Sequence, residues 1–248
     1  MRITVGALAF ASCIFWFSAE ARVIKVFKNR NSANKTITIG FQLDGFTQLD
    51  ARLDSEVGKW LANVTNQAEA KLKKNLGMDI TLEISDINVP RDQFLSAIKT
   101  WATGGYMHAG TVVDYMKAYF SQSYNPDILC LVTRDTPYGH NGLGLNVEQG
   151  YSRYKDLCKD MVPIIIQYKL EDTKKSGSLL FNLIKSSRPS NWTSLKKNQR
   201  KLWLDTCNIQ YKNSEADYDY YYLLPIYKGT QMINMPTKLL TRTYSVLT

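Results

Sequence analysis

The strongest constraint in this sequence is one long apolar stripe. Leu53, Val57, Leu61, Val64, Ala68, Leu72 and Leu76 recur at spacings of four and three, the repeat of a helix with one buried face. Gly77 follows the last of them, and glycine takes the left-handed conformation of a helix C-cap without steric cost. On either side lie 35–43 (KTITIGFQL) and 78–89 (MDITLEISDINV), which alternate polar and apolar residues with period two, as half-buried strands do. A strand, a long helix and a second strand spell a βαβ unit with a parallel pair. That helix excludes an all-β barrel, and with it a small-molecule scavenger of the lipocalin kind.

The remaining segments extend the same architecture. Residues 90–103 form a helix with Phe94, Leu95, Ile98 and Trp101 on one side, stopped by Gly104 and Gly105. Residues 111–114 (TVVD) resemble a capping box that opens a helix through Tyr115, Met116, Tyr119 and Phe120. The run 127–133 (DILCLVT) is apolar almost throughout, which suits a central strand, and 142–146 (GLGLN) suits an edge strand. Another strand spans 161–169, with Pro163 at its start or on an edge. Residues 174–187 then form a helix weakened by Gly177, with Leu179, Leu180, Leu183 and Ile184 as its apolar face and Pro189 beyond its end. A further helix carries Leu195, Leu202 and Trp203. With 248 residues, 44% of them apolar, the chain can bury the core of one α/β domain: a mixed, mostly parallel sheet with packed helices, the 174–187 helix under its centre, and a small irregular C-terminal part.

The N-terminus sets the compartment. Arg2, the apolar run 3–17 and the A-x-A sequence at 19–21 read as a signal peptide over residues 1–21. The run is shorter than the ~20 residues that span a bilayer, and no later stretch spans one. Secretion gives meaning to the N-x-[ST] sequons at Asn34, Asn63 and Asn191 as glycan sites. It also leaves three cysteines in the mature chain, since Cys13 departs with the signal peptide. Cys130 lies in the apolar 127–133 strand and serves as a buried hydrophobe, which pairs Cys158 with Cys207 in polar surroundings. Cleavage removes one cation, Arg2, and one anion, Glu20, so the formal charge of +9 is retained. Its densest patch is 196–201 (KKNQRK). That patch is a candidate site for an anionic polysaccharide such as heparan sulfate or for an anionic membrane surface; the plainer reading is the solvated face of a helix. A nucleic-acid partner does not suit an extracellular protein. The last segment, 209–248, is a tyrosine-rich tail whose 215–222 stretch (EADYDYYY) reads either as an aromatic edge strand or docked tail, or as a substrate for tyrosine sulfation of residues 218–222.

The order of strand, long helix, strand, helices, Asp-initiated core strand, edge strand, strand and helix resembles the metzincin zinc proteases, especially the reprolysin branch. Residues 127–133 are similar to that family's Asp-apolar-Leu-Leu-Thr core strand, 142–145 (GLGL) to its Gly-Leu-Ala edge, and Cys158 sits where a cysteine often follows. The resemblance covers about 35–208, and the domain is taken as 22–208. Within it, the chain is similar to the tick salivary 28 kDa Metastriate family, which shares this length, signal peptide and tyrosine-rich tail. A metzincin-like domain of that kind implies a zinc motif, His-Glu-x-x-His-x-x-Gly-x-x-His, with two imidazoles one helical turn apart and a glutamate as general base.

That motif falls on Phe181, Asn182, Lys185, Arg188 and Asn191, and no position keeps its role. A methionine turn is not evident after Trp192. Its loss implies a pseudoenzyme: a secreted, catalytically inactive metalloprotease-like glycoprotein with no cofactor, no catalytic residue and no metal ligand, which binds host haemostatic or immune proteins. The alternative is a secreted metalloprotease with an unusual metal site. The only histidines are His108 and His140, and a site built from them with Asp127 or Asp135 competes with their reading as ordinary hydrogen-bonded residues. A Cys-His protease is disfavoured by the buried position expected for Cys130, and no phosphate loop or dinucleotide fingerprint occurs.

Overall fold

The computed structural model describes residues 23–27, 33–121, 125–140, 145–147, 149–207 and 209–213. Residues 1–21, read above as a signal peptide, and the tyrosines within 218–222 lie outside these residues. In chain order the first elements are β1 (Val23–Phe27), β2 (Lys35–Asp44), α1 (Glu56–Leu76), β3 (Ile80–Asn88), α2 (Asp92–Lys99), β4 (Ala102–Thr103), β5 (Tyr106–His108) and α3 (Ala109–Tyr119). They are followed by β6 (Ile128–Thr133), β7 (Thr136–His140), β8 (Leu145–Val147), β9 (Gly150–Tyr151), β10 (Val162–Gln167), α4 (Thr173–Ser186), α5 (Lys197–Leu204) and β11 (Ile209–Asn213).

α1 begins where chemistry permits. Ser55 caps it, its hydroxyl accepting from the Gly58 N–H at 2.8 Å, and Gly77 closes it at φ 61° with its N–H on the Lys73 carbonyl. Leu53 of the sequence stripe lies before the cap and is exposed, whereas Trp60 joins the buried face and donates its indole N–H to the Lys169 carbonyl at 2.8 Å. The α1 face packs under a five-stranded sheet of order β3-β2-β6-β10-β9, in which the strands are parallel except β9. Alternation divides its side chains between two layers. Ile37, Ile39, Phe41, Leu43, Cys130, Val132, Ile164 and Ile166 meet α1 and α4 on one face, while Leu129, Leu131 and Ile165 meet α2 and α3 on the other. Covered on both sides, these strands read as continuous apolar runs. Pro163 is tolerated because β9 pairs only with Ile165 and Ile166, leaving that side of β10 open at its start.

Four local expectations are corrected. α4 lies under the β10–β9 half of the sheet and against α1, rather than under the centre. The TVVD stretch is inside α3, not at its cap; the cap is His108, whose Nδ1 accepts from the Thr111 N–H at 3.2 Å. Of the GLGLN segment, 141–144 lies outside the described residues, and Leu145 begins β8 in a second sheet of order β4-β5-β7-β8. The antiparallel edge of the main sheet is instead the two-residue β9. Finally, residues 209–213, read as the start of the tail, form β11, paired antiparallel with β1, while α5 falls where the last helix is expected.

Gly177 earns its place at the crossing of α1 and α4. A Cβ there would overlap the Gln67 Cβ and lie 3.1 Å from the Val64 carbonyl oxygen. Alanine favours an isolated helix by about 1 kcal/mol over glycine, so sequence alone marks Gly177 as a defect. Packing reverses the sign. Gly177→Ala is expected to destabilise the fold by roughly 1–3 kcal/mol through overpacking, measured by denaturant unfolding; a gain in stability would show that the two helices do not cross this closely.

Candidate functional site

α4 carries three of the residues, Phe181, Asn182 and Lys185, on which the zinc motif falls when the resemblance is laid on the sequence. Asp172 caps it, accepting from the Lys175 N–H at 3.3 Å, and the helix ends at Ser187, whose hydroxyl donates to the Leu183 carbonyl at 2.8 Å. Pro189, two residues on, has no N–H with which to continue it. Ser176, Gly177, Leu180, Leu183 and Ile184 face inward and are buried. That rotation leaves Leu179 and Phe181 half-buried at the margin of the core and Asn182 and Lys185 in solvent. The Lys185 ammonium lies 6.0 Å from the centre of the Phe181 ring, one helical turn away. Asn191 is exposed beyond the helix end. Laid on these residues, the motif would require three imidazoles and a carboxylate where a ring, two carboxamides and an ammonium stand. These donors do not fit zinc.

The histidines sit elsewhere. His108 ends β5 and His140 ends β7, adjacent strands of the small sheet. The His108 ring is engaged by Thr111, whose hydroxyl lies 2.7 Å from Nδ1, and stands edge-on to Tyr138 at 5.2 Å. Asp127 precedes β6 while Asp135 follows it, so the six residues of that strand, ~20 Å of chain, separate the two carboxylates proposed as partners. Asp127 is committed at its own end. Its carboxylate accepts from the Thr38 N–H at 2.8 Å and the Thr38 hydroxyl at 2.9 Å.

Among the described residues, one group of potential metal ligands has its atoms within 4.8 Å of one another: Asp127, Cys158 and Cys207. Cys158 and Cys207 are joined in a disulfide with Cα atoms 4.1 Å apart, and disulfide sulfurs carry no thiolate to offer a metal. Cys158 has a φ of 69°. Cys130 is a free, fully buried thiol, and burial pushes its pKa well above the usual range, which disfavours the thiolate. The sequon residues Asn34, Asn63 and Asn191 are all exposed.

Comparison with known proteins adds little. No protein-family profile matches the sequence, and no curated protein matches it. Among solved structures the chain is similar to an archaemetzincin from Methanopyrus kandleri. The identity is 12% and the TM-score 0.36, over 71% of this chain and 88% of that one. A likeness at that distance assigns neither an activity nor a ligand.

Two polar clusters escape a reading based on local pattern. One is a row across the carboxyl end of the main sheet, where Asp44, Thr133 and Gln167 close three adjacent parallel strands in register. The Thr133 hydroxyl donates to Asp44 at 2.9 Å and accepts from the Asp135 N–H at 3.1 Å. Gln167 donates to the Thr136 hydroxyl at 2.9 Å. The signal was present: each apolar strand ends in one polar residue, but only the register aligns them. The second cluster, Arg188, Trp192 and Arg200, brings together residues from the end of α4, a 3₁₀ turn and α5.

Burial raises the Asp44 pKa; the Thr133 hydroxyl opposes the rise, Asp135 adds to it and Lys99 opposes it. A carboxyl whose folded pKa exceeds its unfolded value binds more protons when folded, so its contribution to stability is present at low pH and lost as pH rises through the folded pKa. Asp44→Asn, which keeps a carbonyl to accept from Thr133, is expected to raise the melting temperature at neutral pH. That advantage should shrink as pH falls through the carboxylate range. A constant difference between the two proteins across pH 3–7 would show that Asp44 titrates alike in both states.

Proposed function

We propose that this chain is a secreted, catalytically inactive metalloprotease-like protein that acts by binding host extracellular proteins, haemostatic or immune. One observation carries the reading: where the resemblance puts the zinc ligands and the general base, the chain has Phe181, Asn182 and Lys185 on the well-formed α4 and Asn191 beyond its end. The chain order β2, α1, β3, α2, α3, β6, β10 and α4 follows the pattern on which the metzincin resemblance rests, apart from the edge strand expected at 142–146, whose described part opens β8 of the second sheet. Membership of the tick salivary group is supported by the length, the basic and apolar N-terminus and the tyrosine-rich C-terminus. The Cys158–Cys207 disulfide is compatible with an oxidising compartment, and the exposed sequons favour glycosylation. No helix among the described residues is long and apolar enough to cross a membrane.

Binding in place of catalysis makes physical sense on such a scaffold. β8 closes the small sheet, and an edge strand can receive an extended segment of a partner through main-chain hydrogen bonds with no metal present. Anionic polysaccharide is a second extracellular partner, favoured by the formal charge of +9 and the exposed lysines at 196, 197 and 201. The competing reading, a secreted metalloprotease with an unusual metal site, draws on the adjacency of the His108 and His140 strands.

The deciding experiment is metal analysis of the purified mature protein, with a chelator melt and a pull-down from host plasma. No stoichiometric zinc, an unchanged melting temperature in chelator and reproducible capture of a plasma protein are expected; a zinc equivalent, or a large loss of stability in chelator, would overturn the inactive reading. With no metal to support it, α4 is held by packing. Leu183→Ala is therefore expected to cost about 2–5 kcal/mol in denaturant unfolding.

A further inference from the structure

The segment from residue 173 to residue 204 contains eight lysines and arginines and no aspartate or glutamate. Most of these cations are exposed and need no explanation beyond solubility. Three side chains are different. Trp192, in the 3₁₀ turn between α4 and α5, is 4% exposed. The Arg188 guanidinium lies 5.3 Å from its ring centre and that of Arg200 lies 5.9 Å from it. Two guanidinium groups have thus been gathered around one indole, on segments that converge from either side of the turn. Such stacking holds an arginine in place, yet it brings like charges together. Burial first, and the Arg200 charge second, lower the Arg188 pKa.

The donors of this cluster are also incompletely used. Arg188 Nε donates to the Lys185 carbonyl at 2.8 Å, and one Arg200 Nη donates to the Thr193 carbonyl at 3.2 Å. The Trp192 indole N–H and the Arg200 Nε–H are buried with no hydrogen-bond partner. Buried unsatisfied donors are uncommon in proteins and call for a cause. Neither arginine forms an ion pair with a described residue. Two repelling cations and two orphaned donors share one remedy: an acceptor-only anion. A tetrahedral oxyanion has that character, and a planar guanidinium fork matches it with paired hydrogen bonds.

We propose that Arg188, Trp192 and Arg200 form a binding site for a sulfo group of a sulfated polysaccharide, with the lysines of α5 lying along the rest of the polymer. The reading rests on the extracellular location only for the source of the ligand, not for the chemistry of the site. A polymer suits the surroundings better than a lipid surface does, because Asn191, beside Trp192, is exposed and lies in a sequon. A glycan there would hold a flat membrane off while a single polysaccharide strand passes beside it. The site is specific where a lysine patch is diffuse: it has one buried donor from an indole and two forks, not merely positive charge.

The test is a ¹⁵N-correlation titration of the folded, full-length mature protein with inorganic sulfate and then with a heparin-derived hexasaccharide, the Trp192 side-chain signal being assigned with Trp192→Phe. Saturable movement of the Trp192 indole N–H is expected with both ligands. Arg188→Ala and Arg200→Ala should each weaken hexasaccharide binding by about tenfold, as loss of a charge-assisted hydrogen bond implies. Lys174→Ala with Lys175→Ala, within the same acid-free stretch but before the site, should weaken it less than twofold. Arg188→Lys, which keeps the charge and loses the fork, guards against misfolding of the alanine variants and should resemble Arg188→Ala. A silent Trp192 signal, or equal losses in the lysine and arginine variants, would overturn the site and leave only diffuse attraction. Equal or tighter binding of phosphatidylserine vesicles or of an acidic peptide would overturn the glycan assignment. None of these outcomes depends on whether the protein captures a plasma protein or carries zinc, so failure here is separable from failure of the inactive-scaffold reading.

Discussion

The fold depends on α1 and α4 covering one face of a parallel sheet at close quarters. Parallel strands buried on both sides need helices on both, and on this face α1 and α4 supply most of the cover, with Val57, Trp60, Leu61, Val64 and Ala68 from one and Leu180, Leu183 and Ile184 from the other in a single core. Gly177 sets how near they come, and Gly150 does the same for the sheet: a Cβ on Gly150 would lie 2.9 Å from Leu183 and 3.0 Å from Leu179. Two glycines on two contacting surfaces bring backbone to backbone, so the apolar side chains of α4 fill the space under β9. Each fully buried side chain of leucine size contributes about 1.5–3 kcal/mol, and no coordinating group is needed to keep the helix in position.

Such packing changes what the outer face of α4 is free to be. Here Phe181 and Lys185 pair with each other, Asn182 is solvated, and Arg188 turns to Trp192. The helix has an apolar buried half and a cationic outer surface with aromatic support. The ammonium of Lys185 opposes a divalent cation at this surface.

Much of this was legible locally. α1, β2, β3, β6 and β10 follow from period and composition because their side chains answer to a single core, and the disulfide followed from the apolar strand around Cys130. What was hidden depends on distance through space. Gly177 reads as a weakness until Gln67 is seen beside it. Thr111 looks like a cap, yet His108 performs that role because its ring nitrogen reaches the Thr111 N–H. The polar row of Asp44, Thr133 and Gln167 appears only when three strands are set in register. Nor could a local pattern join Arg188 to Arg200, since they meet over an indole rather than along one helix face.

That meeting depends in turn on how α5 is anchored. Three unrelated interactions fix it and the segment that follows: the Cys158–Cys207 disulfide, an ion pair between the buried Lys35 and Asp205, and the Trp203 indole donating to the Leu157 carbonyl at 2.9 Å. Cross-linking residues 49 apart in sequence restricts the unfolded chain strongly, while the ion pair ties α5 to the first residue of β2. A helix held at several points cannot swing away to relieve repulsion between its own Arg200 and Arg188. The disulfide and the Lys35 pair therefore do more than close the C-terminal part: they hold two cations together against their own repulsion, and an arrangement maintained at that cost is the physical basis for expecting an anion between them.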